Sequence, residues 1–353
     1  APANIIFAIL AVFIFIALLQ WSGKVLGLIP GMEKADDYLL QAIVETVVLV
    51  IFLGITYLFG LCDIFKENAA GWTRSLYTGG FFIVYCLYAV VSGIYMCFLS
   101  EHFFIAVCLV GLVEELVFRG VVFNLLLRAF PKTKGGITGA VVLGGVLFGL
   151  MHFSNMGAGV KFSSCLIQVI SAGLMGVLFC MIYASTRNFW ILVIFHTVVD
   201  MGGLLSSGIF EGGGVADRIN EFSAMNCIAF IVLGIPMLVM LRKSRRIRLE
   251  MLYNNETIID DEREGAKLAV VSLVLGICSI IFSFFGYLMG LGIVGMLASK
   301  MSKRAKQYNN AIATAGMITS IIGFVLSVIC TIGMMVLFAS GMYDRLVNMS
   351  MLQ

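Results

Sequence analysis

The sequence predicts an all-α fold: a polytopic transmembrane helical bundle with a core of about eight helices and a small hairpin-and-helix module at the C-terminal end. Of the 353 residues, 61% are hydrophobic and 12% are charged, and the mean hydropathy is +1.04. This balance leaves too little polar surface for a soluble globule. The 38 glycines fit the close helix packing that lipid favours. The net charge of +3 gives no indication of nucleic acid as a partner, so the lipid bilayer is the expected environment.

Residues 1–241 form the predicted transmembrane core. A span requires about 20 apolar residues. The first apolar run has no basic flank, so we expect a spanning helix and not a cleaved signal peptide. The candidate spans of the core are 3–21, 38–62, 77–99, 102–128, 136–153, 164–186, 188–207 and 223–241.

A charged segment, residues 242–267, follows the core and is predicted to be a cytoplasmic linker. It holds seven basic and six acidic residues. If it is cytoplasmic, eight spans place the N-terminus on the same side, and the inner loops carry thirteen lysines and arginines against four in the outer loops. Basic residues concentrate on the cytoplasmic side of membrane proteins. We therefore expect an integral membrane protein of a bacterial plasma membrane, with its N-terminus in the cytoplasm.

Residues 268–353 are predicted to be a C-terminal transmembrane module. The apolar stretch 268–299 is too long for one ordinary span, and a hairpin there returns the basic residues that follow it to the inner side. A last span, 311–339, completes the module. The module resembles a small glycine-rich transmembrane module of unknown function found in many bacterial membrane proteins, and its role here stays open.

Three ionisable residues stand together in an apolar run, GLVEELVFRG at 111–120. Each charge near a bilayer centre costs on the order of 2.5–3.5 kcal/mol unless the protein compensates it. Residues four apart share one face of a helix, so Glu115 and Arg119 are predicted to form an internal pair. Glu114 lies about 100° away around the same helix and is left without that partner.

Two of the three histidines also lie in apolar runs. FGLMHFSN contains Phe148 and His152, and LVIFHTVVD contains His196 and Asp200, each pair four residues apart. The spacing predicts that the Phe148 ring packs beside the His152 imidazole, and that His196 and Asp200 point into one cavity. Ionisable groups inside spans usually mark a site or a pathway. The third histidine, His102, is expected to be a solvated residue at the edge of a span.

These groups support two related chemistries, and the sequence does not choose between them. Glu114 can act as a general base on a water molecule held by the histidines. Alternatively, His152, His196 and Glu114 can hold a divalent metal such as zinc that acidifies the water. Both routes deliver a nucleophilic water to an amide carbonyl, so peptide hydrolysis is the natural outcome. The H-E-x-x-H, G-x-S-G and G-x-G-D motifs of other intramembrane proteases do not occur in the sequence.

The three motifs, taken in order, resemble those of the CAAX-protease and bacteriocin-processing family, also called CPBP or ABI. The resemblance covers about residues 100–205. The motifs are E-E-x-x-x-R (Glu114, Glu115, Arg119), F-x-x-x-H (Phe148, His152) and H-x-x-x-D (His196, Asp200).

The resemblance implies an intramembrane endopeptidase, similar to CAAX prenyl proteases, that cleaves a membrane-associated or lipidated peptide or protein. In the implied catalytic set, Glu114 activates the water, His152 and His196 are essential imidazoles, and Asp200 binds water or stabilises an oxyanion. The other members of the three motifs would support this set. Eukaryotic relatives remove the tripeptide after a prenylated cysteine, and bacterial ones are linked to peptide maturation and bacteriocin immunity.

Two other functions stay open at this point. A bacteriocin-immunity or binding protein would use the same cavity to sequester a partner without cutting it. A proton- or metal-coupled transporter would use the buried carboxylates and histidines as relays. Against a transporter, the sequence shows no matched pair of interrupted spans in two related halves.

Two expectations concern depth in the membrane. By helical rise, Glu114 and His196 lie about 18 Å from the outer surface of the membrane, whereas His152 lies only about 4 Å from it. This difference in depth disagrees with a single site shared by the three residues. Glu45, in QAIVETVVLV, lies near the outer end of its predicted span. We therefore expect Glu45 to be a residue at headgroup level and not a member of the site.

Overall fold

The part of the chain that a computed structural model describes is predominantly helical. That part consists of residues 2–32, 35–66, 102–206, 224–254, 262–283, 290–304 and 311–339, with the isolated positions 72, 76, 79, 219 and 220. No β-strand occurs within these ranges. The predicted all-α class is confirmed.

The chain divides into two compact units. The first contains residues 1–75 and 89–258, and the second contains residues 76–88 and 259–353. Part of the predicted linker, 242–267, is helical: Lys243–Tyr253 is a helix of the first unit, and Glu262 begins a helix of the second.

The first unit contains ten helical segments of six residues or more and without 3-10 character among its described residues. Short 3-10 turns at Cys62–Phe65, His152–Ala158 and Ala224–Cys227 lie between them. The segments are α1 (Pro2–Leu26), α2 (Asp37–Leu58), α3 (Phe103–Glu115), a π-helical segment (Leu116–Phe123), α4 (Asn124–Ala129), α5 (Lys134–Met151), α6 (Phe162–Thr186), α7 (Phe189–Ser206), α8 (Ile228–Met240) and α9 (Lys243–Tyr253).

Several described helices are long and apolar enough to cross a membrane, and the protein is an integral membrane protein. The long ones are Pro2–Leu26, Asp37–Leu58, Lys134–Ala158, Phe162–Thr186 and Ala311–Gly333. Shorter apolar helices occur at Phe189–Met201, Ala229–Met240 and Gly265–Ile281. The predicted span 77–99, apart from position 79, lies outside the described residues.

The start of α2 is tied to the start of α3. Asp36 caps α2 by accepting hydrogen bonds from the amides of Tyr38 and Leu39, at 2.9 and 3.0 Å. The same carboxylate lies 2.5 Å from Nδ1 of His102, which is therefore paired and not simply solvated. Although partial burial acts to raise it, the pKa of Asp36 is lowered by these amides and by His102. The Tyr38 ring packs edge-on against Phe103, with ring centres 5.2 Å apart.

The span predicted over 102–128 is a continuous helix whose middle, Leu116–Phe123, has π-helical hydrogen bonding. Asn124 Nδ2 donates to the carbonyl oxygens of Arg119 and Gly120, at 2.8 and 3.1 Å. The Asn124 side chain thus donates hydrogen bonds to two backbone carbonyls of the π-helical segment. Such π-helical insertions occur frequently at functional sites, and this one contains Arg119.

Helices α5 and α6 approach each other through glycines. A Cβ atom on Gly145 would lie 2.4 Å from the backbone nitrogen of Val177, and one on Gly149 would lie 2.6 Å from the carbonyl oxygen of Val169. Neither position has room for a side chain. This backbone contact is the kind that small residues permit between membrane helices.

Helix α9 packs on the ends of the neighbouring helices through Tyr253. The Tyr253 ring lies 5.1 Å from Lys132 Nζ and 4.5 Å from the Arg187 guanidinium carbon. Arg187 ends α6 in a left-handed conformation, with φ of 54°. Burial and the charges of Arg187 and Arg128 lower the pKa of Lys132. The two cation–π contacts therefore help to hold together basic groups that repel one another.

The second unit contains α10 (Glu262–Ile281), α11 (Gly290–Arg304) and α12 (Ala311–Ala339). Helices α10 and α11 lie on either side of residues 284–289, where the sequence predicts a hairpin. All three helices pack against one another. Their buried polar residues are serines.

Candidate active site

Glu115 and Arg119 form the buried pair that their spacing predicts. Arg119 Nη1 donates to Glu115 Oε1 at 2.8 Å, and neither residue has solvent-exposed surface. The guanidinium carbon lies 4.7 Å from the centre of the Phe148 ring and 5.1 Å from that of Phe179. Arg119 is therefore compensated by one carboxylate and held between two aromatic rings, which allows a guanidinium to be buried.

Glu115 also binds His196, a contact that the spacing of the motifs does not reveal. His196 Nδ1 lies 2.7 Å from Glu115 Oε1, the oxygen that also accepts from Arg119. Because an ionised carboxylate can only accept, Nδ1 carries the proton and donates it to this bond. In the neutral imidazole, the lone pair of Nε2 is then left to face the site.

Two further carboxylates face His196 Nε2. Glu114 Oε2 lies 3.5 Å from this nitrogen, and Asp200 Oδ2 lies 3.7 Å from it. Both separations are longer than a typical hydrogen bond, so Nε2 faces the two carboxylates without a short hydrogen bond to either. The side chain of Glu114 is 13% exposed and that of Asp200 is 27% exposed, against 3% for His196. The site is therefore accessible on the side of the two carboxylates.

His152 lies at the end of α5 and reaches the same site through Phe148. Its Nδ1 lies 3.0 Å from the carbonyl oxygen of Phe148, so Nδ1 donates and Nε2 remains an acceptor. The Phe148 ring lies edge-on to both imidazoles, with centres 5.2 Å from His152 and 5.7 Å from His196. The depth expected for His152 from helical rise is corrected, because one aromatic ring touches both histidines.

Helices from distant parts of the chain thus assemble the predicted residues. The end of α3 supplies Glu114, which α7 meets with His196 and Asp200. Two features of the site have no recognisable signal in the sequence. One is the packing of Phe179, an aromatic residue in an apolar span, against Arg119, and the other is the binding of Glu115 to both Arg119 and His196. An aromatic side chain in an apolar run is what any membrane helix contains, so only the packing distinguishes Phe179.

Glu45, which is expected to lie at headgroup level, has a buried side chain, and its depth in the membrane stays a prediction. The residue is 2% exposed. Gln41 Nε2 donates to its Oε1 at 2.6 Å, and its Oε2 is buried without a hydrogen-bond partner. The charge of Glu45 interacts with those of Asp200 and Glu114, so α2 contributes a carboxylate beside the predicted site. The signal was a lone acid in an apolar run, and its position near a predicted helix end concealed its significance.

The donor groups do not form a metal-binding cluster as they stand. Within the described ranges, no group of three or more His, Cys, Asp or Glu side chains is arranged to hold a metal ion. His152, His196 and Glu114, which the sequence offers as possible ligands, are not brought together as such a set. The metal-dependent route stays a prediction.

The comparison with protein families agrees with the geometry. The model of the family described as type II CAAX prenyl endopeptidase, Rce1-like, matches residues 101–202. The matched segment is therefore similar to that family. It contains all three motifs, so the predicted resemblance is confirmed for this part of the chain. No curated protein matches the chain, and no solved structure matches it either. The resemblance of the C-terminal module stays a prediction.

Proposed function

We propose that the protein is an intramembrane endopeptidase in which Glu114 and the two imidazoles activate a water molecule to cleave a membrane-associated or lipidated peptide. One observation carries this proposal. Glu114 Oε2 and Asp200 Oδ2 converge on His196 Nε2, at 3.5 and 3.7 Å, inside a segment that matches an endopeptidase family.

The proposed reaction uses Glu114 as the proton carrier. A water molecule donates one O–H to Glu114 and the other to His196 Nε2. These two hydrogen bonds direct a lone pair of the water oxygen at the carbonyl carbon of the substrate. Glu114 takes the proton as the new C–O bond forms, and the carbonyl π electrons move to the oxygen. When the C–N bond breaks, Glu114 returns the proton to the leaving nitrogen. The products are a carboxylic acid and an amine. Asp200, whose Oδ2 lies 3.7 Å from His196 Nε2, supports the imidazole that holds the water or, when protonated, donates a hydrogen bond to the oxyanion.

The buried pair behind the site supports this reaction by orienting His196. Glu115 holds Nδ1 of the imidazole and is itself held by Arg119, which two aromatic rings enclose. A ring fixed in this way presents Nε2 in one direction, so little reorganisation is needed when charge develops. His152 is anchored in the same manner, by the carbonyl of Phe148.

The test is cleavage of a defined mixture of synthetic peptides by the purified full chain in detergent micelles, with cleavage sites mapped by mass spectrometry. We expect Glu114→Gln to lower the rate by at least about 100-fold, the usual contribution of a general base. His152→Ala and His196→Ala should abolish cleavage. The melting temperature of Glu114→Gln should match that of the unsubstituted protein.

Glu250→Gln, in α9, is the matched control and should cleave at the normal rate. Full activity of Glu114→Gln in a pure preparation would refute the role of Glu114 as the base. Cleavage that is lost with a chelator and restored by zinc would favour the metal-dependent route. Cell protection that survives loss of both histidines would favour an immunity function, and uptake by proteoliposomes that depends on Glu114 would favour a transporter.

The same proposal includes a bacterial plasma membrane and a cytoplasmic N-terminus. The excess of basic residues in the predicted inner loops, thirteen against four, supports this orientation. Alkaline phosphatase fused after residue 250 should be inactive, because that enzyme folds only outside the cytoplasm. An active fusion would reverse the orientation.

A further inference from the structure

Glu45 is a buried carboxylate at the site that lies outside the segment matched by the family model. It is on α2, whereas the matched segment begins at residue 101. Its helix is fixed against α3 by the contact of Asp36 with His102 and by the packing of Tyr38 on Phe103. These contacts fix the start of α2, about two turns before Glu45, against the start of α3.

Glu45 has one satisfied oxygen and one free oxygen. Gln41 occupies Oε1 at 2.6 Å, and Oε2 is buried without a partner. Leaving a buried acceptor unsatisfied usually costs a folded protein about 1–3 kcal/mol, more if it is charged. Asp200 Oδ2 is likewise buried and without a hydrogen-bond partner. Two unsatisfied carboxylate oxygens, one on α2 and one on α7, therefore belong to residues whose charges interact.

The charges around the site are unbalanced among the residues that the structure describes. The charges of Glu45, Glu114 and Asp200 repel one another, and one imidazole, that of His196, faces Glu114 and Asp200 and offsets this repulsion in part. The guanidinium of Arg119 is bound to Glu115 and enclosed by aromatic rings, so it cannot neutralise them. What remains for an entering group is a set of acceptors: the free carboxylate oxygens and the Nε2 atoms of the histidines. A peptide that enters must bring donors.

We propose that Glu45 is a substrate-binding residue that accepts a cationic group, an ammonium or guanidinium, carried by the peptide next to the cleaved bond. Such a group satisfies the free Glu45 oxygen and relieves the repulsion between the carboxylates. A carboxylate at the same position meets acceptors only and is rejected. The inference rests on the proposed endopeptidase activity and adds the charge class of its substrate.

The experiment uses peptide triplets in micelles with the full chain. Cleavage sites found in the peptide mixture define one parent peptide, which is then made with lysine, norleucine or glutamate at each position within two residues of the cleaved bond. Norleucine keeps the length of the lysine side chain and removes its charge. The measured quantity is the ratio of kcat/KM for the lysine peptide to that for the norleucine peptide.

The unsubstituted protein should show a ratio of about 10 or more at one of these positions, because a charged hydrogen bond is being made. Glu45→Gln should bring the ratio close to one, mainly through KM, and Glu45→Asp should give an intermediate value. Glu250→Gln is the control and should keep the full ratio. Gln41 can still pair with the amide of Glu45→Gln, so the melting temperature should stay close to that of the unsubstituted protein.

Three outcomes would overturn the proposal. A ratio near one in the unsubstituted protein does so without any variant. An unchanged ratio in Glu45→Gln, or a preference for the glutamate peptide, also does so. A complete absence of cleavage by the unsubstituted protein would instead refute the endopeptidase activity, and this substrate class would fall with it.

Discussion

The two units of the chain bury polar groups of different kinds. In the first unit the buried set near α3 and α7 is ionisable: Glu45, Glu115, Arg119 and His196 are each 2% exposed or less. Several of its polar atoms have no hydrogen-bond partner, among them Glu45 Oε2 and Asp200 Oδ2. Burying a charged group in a membrane protein costs free energy. Buried charged groups that lack hydrogen-bond partners therefore indicate a site.

The second unit buries hydroxyl groups against glycines. Ser272 Oγ donates to the carbonyl of Gly295 at 2.8 Å, and Ser302 Oγ donates to that of Gly265 at 2.7 Å. These bonds join different helices and satisfy the hydroxyls locally. A buried hydroxyl that is hydrogen-bonded to a backbone carbonyl of another helix stabilises helix packing. A buried carboxylate oxygen without a hydrogen-bond partner is available to bind a ligand. Ser279 is the exception, since its Oγ has no partner.

The largest effect should follow from breaking the charged pair in the first unit. Arg119→Met leaves Glu115 buried without its cation, which should lower the free energy of unfolding by about 3–5 kcal/mol. Denaturant unfolding in micelles measures this. The double variant Glu115→Gln, Arg119→Met should recover part of the loss, because no uncompensated charge remains. Equal stability of Arg119→Met and the unsubstituted protein would contradict the account of the pair.

A packing change in the second unit should cost less and leave chemistry intact. A Cβ atom on Gly276 would lie 2.2 Å from Thr319 Oγ1 and 2.8 Å from the backbone nitrogen of Ser320. Gly276→Ala should therefore destabilise the protein by about 1–3 kcal/mol. Gly333→Ala is the matched control, since nothing lies within 4 Å of its Cβ position. The same unfolding curves separate the two, and equal values would refute the close approach at Gly276.

The cation–π contacts of α9 should contribute a smaller amount. Tyr253→Leu removes the ring that Lys132 and Arg187 face, and should lower the free energy of unfolding by about 1 kcal/mol. Tyr253→Phe keeps the ring and removes a hydroxyl that has no partner, so it should be neutral or stabilising. A larger loss for Phe than for Leu would show that the hydroxyl, and not the ring, matters.

The smallest effect should come from single hydroxyls in the second unit. Ser302→Ala removes the bond to Gly265 and should cost about 0.6 kcal/mol, the usual size of such a contact between membrane helices. Ser279→Ala removes a hydroxyl without a partner and should be neutral or slightly stabilising. Thermal unfolding of both variants gives the order, and the reverse order would weaken the comparison between the units.

The motif residues show how far spacing alone can lead. Glu115 and Arg119 are four apart on one helix, so their contact is local and follows from helical geometry. The same holds for His196 and Asp200, whose facing atoms lie 3.7 Å apart. These contacts need no knowledge of how the helices pack. They are the part of the site that the sequence predicts well.

Glu45 and Phe179 show where spacing stops. Each lies on a helix outside the three motifs, and which helices become neighbours depends on packing contacts such as that of Gly145 with Val177 between α5 and α6. The π-helical segment at Leu116–Phe123 also has no periodic signal, because its apolar residues look like those of any span. The depth of His152 was misjudged for a related reason: rise along one helix does not describe how helices are placed against each other.

By itself, the sequence determined the all-α membrane class and the chemical types at the site, because hydropathy and helical spacing are local properties of the chain. Only the tertiary structure decided that Glu115 serves both Arg119 and His196, and that Glu45 on α2 is buried with one unpartnered oxygen. Contacts between distant helices depend on which helix faces pack together. Many different arrangements of the helices are compatible with the same hydropathy pattern. The enclosed geometry of the site is therefore a property of the packed bundle.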